Sequence, residues 1–111
     1  MFSYTITIGR NQSSTNEPMS TEDWNKFQNH LKEYLETFML TADRLEIHEG
    51  IGEWNGISEE SVKFTLLTNI ALLDWAIDDI KYELGTLAAV YDQEAIALTI
   101  GESILVSSIT V

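Results

Sequence analysis

Residues 2–9 read FSYTITIG, and the prediction of the fold starts from this stretch. Serine and threonine alternate here with apolar side chains, which occupy Phe2, Tyr4, Ile6 and Ile8. A period of two is typical of a β-strand with one buried face. Gly9 ends the pattern, so the sequence predicts a first strand over residues 2–8 with one face against a core.

A polar loop and an amphipathic helix follow this strand. Residues 10–19 are rich in turn formers and contain the only proline, Pro18, as a loop does. Ser20 is a good N-cap, and Glu22 and Asp23 favour the first helical turn because its free N–H groups attract anions. Apolar residues then recur at spacings of three and four, at Trp24, Phe27, Leu31, Tyr34, Leu35 and Phe38. This spacing predicts a helix of about four turns.

The middle of the chain predicts a pair of strands. The second strand begins at Leu45 and runs toward Trp54, and the segment GEWNGISEE, residues 52–60, supplies glycines and an asparagine for the connection. Residues 61–68 alternate again. Their apolar members, which should face the core, are Val62, Phe64 and Leu66.

A second helix and a fourth strand complete the pattern. The helix is predicted over residues 71–90, with an apolar side formed by Leu73, Ile77, Ile80, Leu84 and Leu87. The fourth strand is predicted over residues 93–100. An apolar tail, residues 104–111, is expected to form an additional strand within the subunit or between subunits.

The order β-α-β-β-α-β is that of a ferredoxin-like α+β sandwich, an antiparallel sheet with two helices on one face. We expect one such domain over residues 1–111, with the extra strand at its C-terminus. In this topology the third and fourth strands are parallel and flank the first strand, which runs the other way. The end of the first strand therefore meets the starts of the other two at one edge of the sheet.

Chemically useful side chains gather at that edge, namely Arg10, Asn11, Glu53, Trp54, Glu59, Glu60 and Gln93, with Tyr91 close by in sequence. Alternation places Glu59, Ser61 and Gln93 on the open face of the sheet. A bulge in the hairpin would exchange Glu59 with Glu60. Carboxylates beside aromatic rings and an amide suit a flat, cationic ligand. The alternative is a solvated acidic rim, because acidic residues are abundant throughout this chain.

The remaining open face carries threonine and alanine, at Thr5, Thr7, Ala95, Ala97 and Thr99. Such a face is neither charged enough for a fully wet surface nor apolar enough for a core. It fits an interface between subunits, and the alternative is a solvated sheet face.

Composition narrows the function classes. The 111 residues contain 18 Asp+Glu and 6 Lys+Arg, a formal net charge of −12, which argues against nucleic-acid binding because phosphate contacts need clustered cations. The absence of cysteine excludes disulfides and thiol chemistry. His30 and His48 lack a third ligand at workable spacing, so no metal site is expected. The chain shows neither a signal-like start nor an apolar span, so we expect a cytoplasmic protein without membrane contact.

Three short motifs resemble the phage-encoded S-adenosylmethionine (SAM) lyases, historically called SAM hydrolases. They are GEWNG at 52–56, EESV at 59–62 and YDQEAI at 91–96. The resemblance covers roughly residues 50–100, and more loosely the first strand and helix. The first turn is shorter here, and the family's basic stretch in the first helix is replaced by Asn25, Lys26 and Asn29.

The resemblance implies a homotrimer with active sites between subunits, which cleaves SAM to L-homoserine lactone and 5'-methylthioadenosine without a cofactor or metal. One of Glu59 and Glu60 matches the essential glutamate, and Gln93 matches the active-site glutamine. The substrate-binding residues implied are Trp54, Glu53, Ser61, Tyr91, Arg10 and Asn11. In the host cytoplasm, such an activity depletes the methyl donor and counters methylation-dependent defence such as restriction.

Two other function classes remain open at this point. Ferredoxin-like domains also serve as non-catalytic modules that bind a ligand or a partner, since fold does not fix function. The charge of −12 also fits an acidic mimic of DNA that blocks a basic protein. The acidic residues of the second helix favour an ordinary solvated face over such a mimic, because they are not arrayed at regular phosphate-like intervals.

Overall fold

The computed structural model describes residues 1–54 and 56–102, with the backbone alone for Trp54. Its elements are β1 (Phe2–Gly9), α1 (Thr21–Glu36), β2 (Arg44–Trp54), β3 (Ile57–Thr68), α2 (Asp74–Val90) and β4 (Ala97–Glu102). The predicted order of strands and helices is confirmed. Within the described residues, neither helix has the length and apolar character needed to cross a membrane.

The four strands form one sheet in the order β2-β3-β1-β4. β1 is antiparallel to both of its neighbours, so β3 and β4 are parallel to each other and flank it. This is the ferredoxin-like arrangement that the sequence predicts. The strand termini that were expected to meet at one edge therefore do so.

The core lies between one face of the sheet and both helices. Ile6, Ile8 and Phe64 are each 1% exposed and form a single cluster with the buried side chains of α1 and α2. Alternation along β1 and β3 is thus preserved in the burial pattern. The Ser20 hydroxyl accepts a hydrogen bond from the Asp23 N–H at 3.1 Å, as expected of the N-cap of α1.

The predicted start of α2 is wrong by three residues. The helix begins at Asp74, because the Leu72 N–H is held by the Tyr4 hydroxyl at 2.8 Å and the N-cap Leu73 is extended. Leu73 is consequently 65% exposed, and Ile77 is only half-buried. The buried side of the helix consists of Ala76, Ile80, Leu84 and Leu87.

The predicted start of the fourth strand is also wrong. β4 begins at Ala97, because residues 91–93 complete the turn that ends α2. Asp92 has a positive φ of 52°, and the Gln93 N–H donates to the Ala88 carbonyl at 2.8 Å. Gln93 therefore lies in a turn, and strand alternation does not determine its direction.

The hairpin between β2 and β3 is tighter than the sequence indicates. The two strands stay paired up to Trp54 and Ile57, and Gly56 adopts the positive φ of 79° that tight hairpin turns favour. Gly52, expected in the connection, lies inside β2 opposite Glu59. The strand predicted over residues 104–111 lies outside the described residues.

A buried hydroxyl at the end of β3 gives a first testable prediction. Thr68 is 1% exposed, and its Oγ1 has no hydrogen-bond partner among the described residues. Thr68→Val replaces this hydroxyl with a methyl group of similar shape, so we expect the free energy of unfolding to rise by about 1 kcal/mol. Urea denaturation measures the change. A loss of stability would mean that the hydroxyl is hydrogen-bonded in solution.

A tyrosine between the helices gives a second prediction, on pH. Burial, a 2.5 Å hydrogen bond to Asp79 and the negative charges of Asp79 and Glu83 all raise the pKa of Tyr34. The folded state thus favours the neutral phenol, and this stabilisation is complete below the ordinary tyrosine pKa of about 10 and is lost as the pH rises above it. The stability advantage of wild type over Tyr34→Phe should shrink between pH 9 and 11 in urea denaturation. An advantage that stays constant over this range would contradict the assignment.

Candidate functional site

A groove of about 630 Å³ lies on the open face of the sheet, where β1 ends. The hairpin of β2 and β3 runs on past Gly9, the last residue of β1, and forms one side of the groove. The loop between β1 and α1 forms the other side. The lining includes Gly9, Asn11, Gly52, Glu59, Ser61 and Gln93.

The carboxylate of Glu59 lies across the end of β1. Its Oε2 accepts a hydrogen bond from the Asn11 N–H at 2.8 Å. A Cβ atom on Gly9 would lie 2.6 Å from the same oxygen, so the absence of a side chain at Gly9 makes this position available. The position of the Glu59 carboxylate thus depends on the glycine at position 9, although 50 residues separate the two in sequence.

Gln93 approaches the same backbone segment from the other side. Its Nε2 donates to the Asn11 carbonyl at 3.0 Å and to the Tyr91 carbonyl at 3.4 Å. Both acceptors are carbonyl oxygens, so they fix the orientation of the amide and direct its own oxygen away from them. Asn11 is consequently held on both sides, by Glu59 at its N–H and by Gln93 at its carbonyl.

Glu60 and Arg10 lie on the opposite, helix-facing side of the sheet. The Arg10 guanidinium contacts the Glu60 carboxylate at 2.9 Å and donates through Nε to the Met19 carbonyl at 2.8 Å. The β2–β3 register runs unbroken from Trp54–Ile57 to Arg44–Leu67, so no bulge exchanges the two glutamates. Glu59 therefore lines the groove, and Glu60 secures the base of the loop through Arg10.

Tyr91 also lies away from the groove. Its ring stacks on Phe27 with centroids 4.6 Å apart, and its hydroxyl hydrogen-bonds with His30 Nδ1 at 2.6 Å. Burial raises the pKa of Tyr91. The side chain thus anchors the end of α2 against α1. Its backbone carbonyl, in contrast, contacts Gln93.

Asp92 fixes the loop side of the groove. Its carbonyl accepts from the Ser13 N–H at 2.7 Å, and its carboxylate accepts from the Ser14 N–H and hydroxyl. The turn that presents Gln93 is therefore also the turn that holds the loop. The sequence gives no signal of this contact, because Ser13 and Ser14 are ordinary loop residues.

The charges along the groove are mainly negative. Glu53, Glu59 and Glu94 line it, and Lys63 is the one cationic side chain among its lining residues. Carboxylates suit ammonium or sulfonium groups of a ligand. Across residues 1–54 and 56–102, no three His, Asp or Glu side chains come together as metal ligands.

Of the residues singled out in the sequence, the groove brings together Asn11, Glu53, Glu59, Ser61 and Gln93. It does not include Arg10, Glu60 or Tyr91, and the side chain of Trp54 lies outside the described part of the chain. Gly52 was missed because a glycine three residues before Asn55 was assigned to the turn. Alternation in β2 breaks at Glu49, which takes an apolar position of the pattern, so periodicity carries no signal that could have placed Gly52 in the strand.

Comparison with known proteins gives matches among solved structures alone. No protein-family model matches the chain, and no curated protein matches its sequence. A phage SAM lyase in complex with S-methyl-5'-thioadenosine is similar, with a TM-score of 0.54, 15% identity, and coverage of 91% of this chain and 80% of that chain. A phage SAM lyase in the apo state has a TM-score of 0.48 and 16% identity, covering 90% and 78% respectively. At this level of identity, the first likeness shows that the two proteins share a fold.

Proposed function

We propose that this protein is a SAM lyase, which cleaves SAM to L-homoserine lactone and 5'-methylthioadenosine. The observation that carries the proposal is the position of the Glu59 carboxylate. The Asn11 N–H holds it at the C-terminal end of β1, in a groove whose opposite side presents Gln93. The fold shared with a phage SAM lyase supports it. In a phage, this activity would deplete the host's methyl donor and counter restriction.

The proposed reaction needs no group beyond the substrate. The α-carboxylate of SAM attacks its own γ-carbon, a C–O bond forms, and the C–S bond breaks with its electron pair passing to sulfur. The sulfonium becomes the neutral thioether of methylthioadenosine, and the five-membered lactone keeps the ammonium. No water is consumed and no proton is released, so the net charge of +1 is conserved.

The protein's contribution in this proposal is to hold the substrate in a reactive conformation. Intramolecular attack gains most from a geometry that brings carboxylate and γ-carbon together. The sulfonium charge disappears during the reaction, whereas the ammonium charge does not. A carboxylate that binds the sulfonium would stabilise the ground state more than the transition state, so we assign Glu59 to the ammonium.

Gln93 and Asn11 complete the proposed site. The Gln93 amide oxygen is directed away from Asn11 and can accept from the ligand's ribose hydroxyls or amino groups. Glu53 and Ser61 line the same groove and add further acceptors. Arg10 and Glu60 act through the loop, since their side chains pair on the other face of the sheet.

We also propose that the open face forms the contacts of a homotrimer. On this face Arg44 and Glu46 form an ion pair at 2.9 Å. Thr5 and Thr65 are hydrogen-bonded to each other at 3.0 Å and leave methyl groups for contact. The Arg44–Glu46 pair lowers the local charge on this part of the face, which reduces the repulsion that a net charge of −12 imposes on assembly.

The test is to incubate the purified protein with SAM in ¹⁸O-labelled water and to separate the products by chromatography with mass detection. The proposal predicts enzyme-dependent methylthioadenosine and homoserine lactone without ¹⁸O, measured early enough to precede spontaneous ring opening. Homoserine with ¹⁸O in its side-chain hydroxyl would indicate hydrolysis instead. Absence of both products from the folded protein would reject the enzyme. Binding of methylthioadenosine without turnover would then favour the non-catalytic module.

A further inference from the structure

The strip of backbone around Gly52 stands out inside the groove. On the open face, Gly52 pairs directly with Glu59, and its diagonal neighbours on β3 are Ile57 and Ser61. All four residues line the groove. Bare peptide is thus bordered by an aliphatic side chain, a carboxylate and a hydroxyl.

The Glu59 side chain leaves this strip uncovered. Its carboxylate lies over Gly9 and is bound by the Asn11 N–H, and both of those residues belong to the β1 side of β3. Gly52 lies on β2, which is on the other side of β3. The carboxylate therefore leans away from Gly52.

The fold itself does not require glycine at this position. Among described glycines, only Gly56 has a positive φ. A Cβ on Gly52 would meet the Ser61 Oγ at 3.6 Å and the Ser61 Cβ at 3.7 Å, which are ordinary contacts. Glycine inside a strand is instead less stable than alanine by roughly 0.5–1 kcal/mol. The absence of a side chain at Gly52 therefore does not serve the fold. It leaves free space in the groove above the backbone of β2.

We infer that Gly52 is a specificity-determining residue, whose bare backbone forms the floor on which a planar heteroaromatic ring of the ligand stacks. A flat ring needs a flat surface at about 3.5 Å, and a peptide plane without a side chain provides one. Ile57 borders the ring with apolar contact, and the Ser61 hydroxyl can bond to its polar edge. This inference rests on the proposed function and assigns the nucleobase end of the ligand to β2.

The test measures binding of methylthioadenosine by calorimetry to wild type, Gly52→Ala and Gly52→Val. We expect Kd to rise with side-chain size, by at least about tenfold for valine. The melting temperature should stay equal or rise, because valine favours strands. Gly50→Val is the matched control, since Gly50 lies on the same strand and face but outside the groove lining.

A second readout locates the ring directly. Nuclear Overhauser contacts are expected between the Gly52 Hα protons and the base protons of methylthioadenosine. The inference would be overturned by base contacts elsewhere, by Gly52→Val binding as wild type does, or by equal weakening in Gly50→Val. A Gly52→Val protein with lower mass in solution would also overturn the inference, because a second copy rather than a ring would then cover this strip. Wild type that neither binds methylthioadenosine nor cleaves SAM would instead reject the proposed function itself.

Discussion

Glu59→Gln should lower kcat/KM for SAM cleavage by at least about a hundredfold while the protein remains folded. The amide keeps the size of the side chain, and its oxygen can still accept from the Asn11 N–H. The negative charge that we assign to the substrate's ammonium is lost. Product formation from SAM, followed by chromatography, measures the effect, and circular dichroism verifies the fold.

Glu60→Gln is the matched control for this prediction. Glu60 is adjacent in sequence, but its carboxylate contacts Arg10 on the helix-facing side of the sheet. That pair is largely exposed at Glu60, with 60% of the side chain accessible, so its loss should cost under about 1 kcal/mol. We expect activity within about threefold of wild type. Equal losses in the two variants would contradict the assignment of Glu59 to the groove and of Glu60 to the loop.

Gly9→Ala should reduce activity by at least about tenfold without altering any charged group. The added methyl group would occupy the space of the Glu59 carboxylate, 2.6 Å from Oε2, and so displace it from the Asn11 N–H. The displaced atoms are the far end of a flexible side chain. We therefore expect the free energy of unfolding to change by less than about 1 kcal/mol.

A double-mutant cycle tests whether Gly9 acts through Glu59. If the methyl group acts by displacing the carboxylate, Gly9→Ala should add little to the loss already caused by Glu59→Gln. Additive losses would show that Gly9 affects activity by another route. Gly101→Ala serves as the control, since a Cβ there meets only the Ser3 hydroxyl at 3.4 Å and lies on β4 away from the groove.

The fold could be predicted from periodicity because its central elements have one buried face. β1 alternates without exception, and α1 places Trp24, Phe27, Leu31 and Leu35 on one side after a good N-cap. Topology then follows from the order of elements. The same reasoning predicted that Asn11, Glu59 and Gln93 lie at one edge of the sheet. In the structure, the side chains of Glu59 and Gln93 both hydrogen-bond with the Asn11 backbone.

The predicted starts of α2 and of the fourth strand were wrong because the residues before each element continue its sequence pattern. Leu72 and Leu73 continue the apolar spacing of α2, so the sequence does not reveal that the Tyr4 hydroxyl keeps them out of the helix. The predicted fourth strand starts at Gln93, but the left-handed Asp92 makes residues 91–93 a turn and β4 begins only at Ala97. Both errors depend on tertiary contacts or on a single φ angle, which periodicity does not encode.

The direction of Tyr91 illustrates the same limit within the candidate site. Tyr91 lies two positions before Gln93 and was expected to bind the substrate. The ring instead stacks on Phe27, because the last turn of α2 directs it toward α1. Neighbours in sequence at the end of a helix can thus lie on opposite sides of the sheet.

The most direct test of the central claim is to map methylthioadenosine onto the ¹⁵N-labelled protein by NMR. The account predicts the largest amide shifts at Gly9, Asn11, Gly52 and Ser61 and in the Gln93 side-chain amide. Gly85 should stay unchanged, because it lines a second groove of about 580 Å³ between α2 and β4, which meets the first groove at residues 93–96 and not at Gly85. Saturating shifts centred on Gly85 and Ala88, or no shifts in the folded protein, would contradict the claim that the groove at Glu59 is the ligand site.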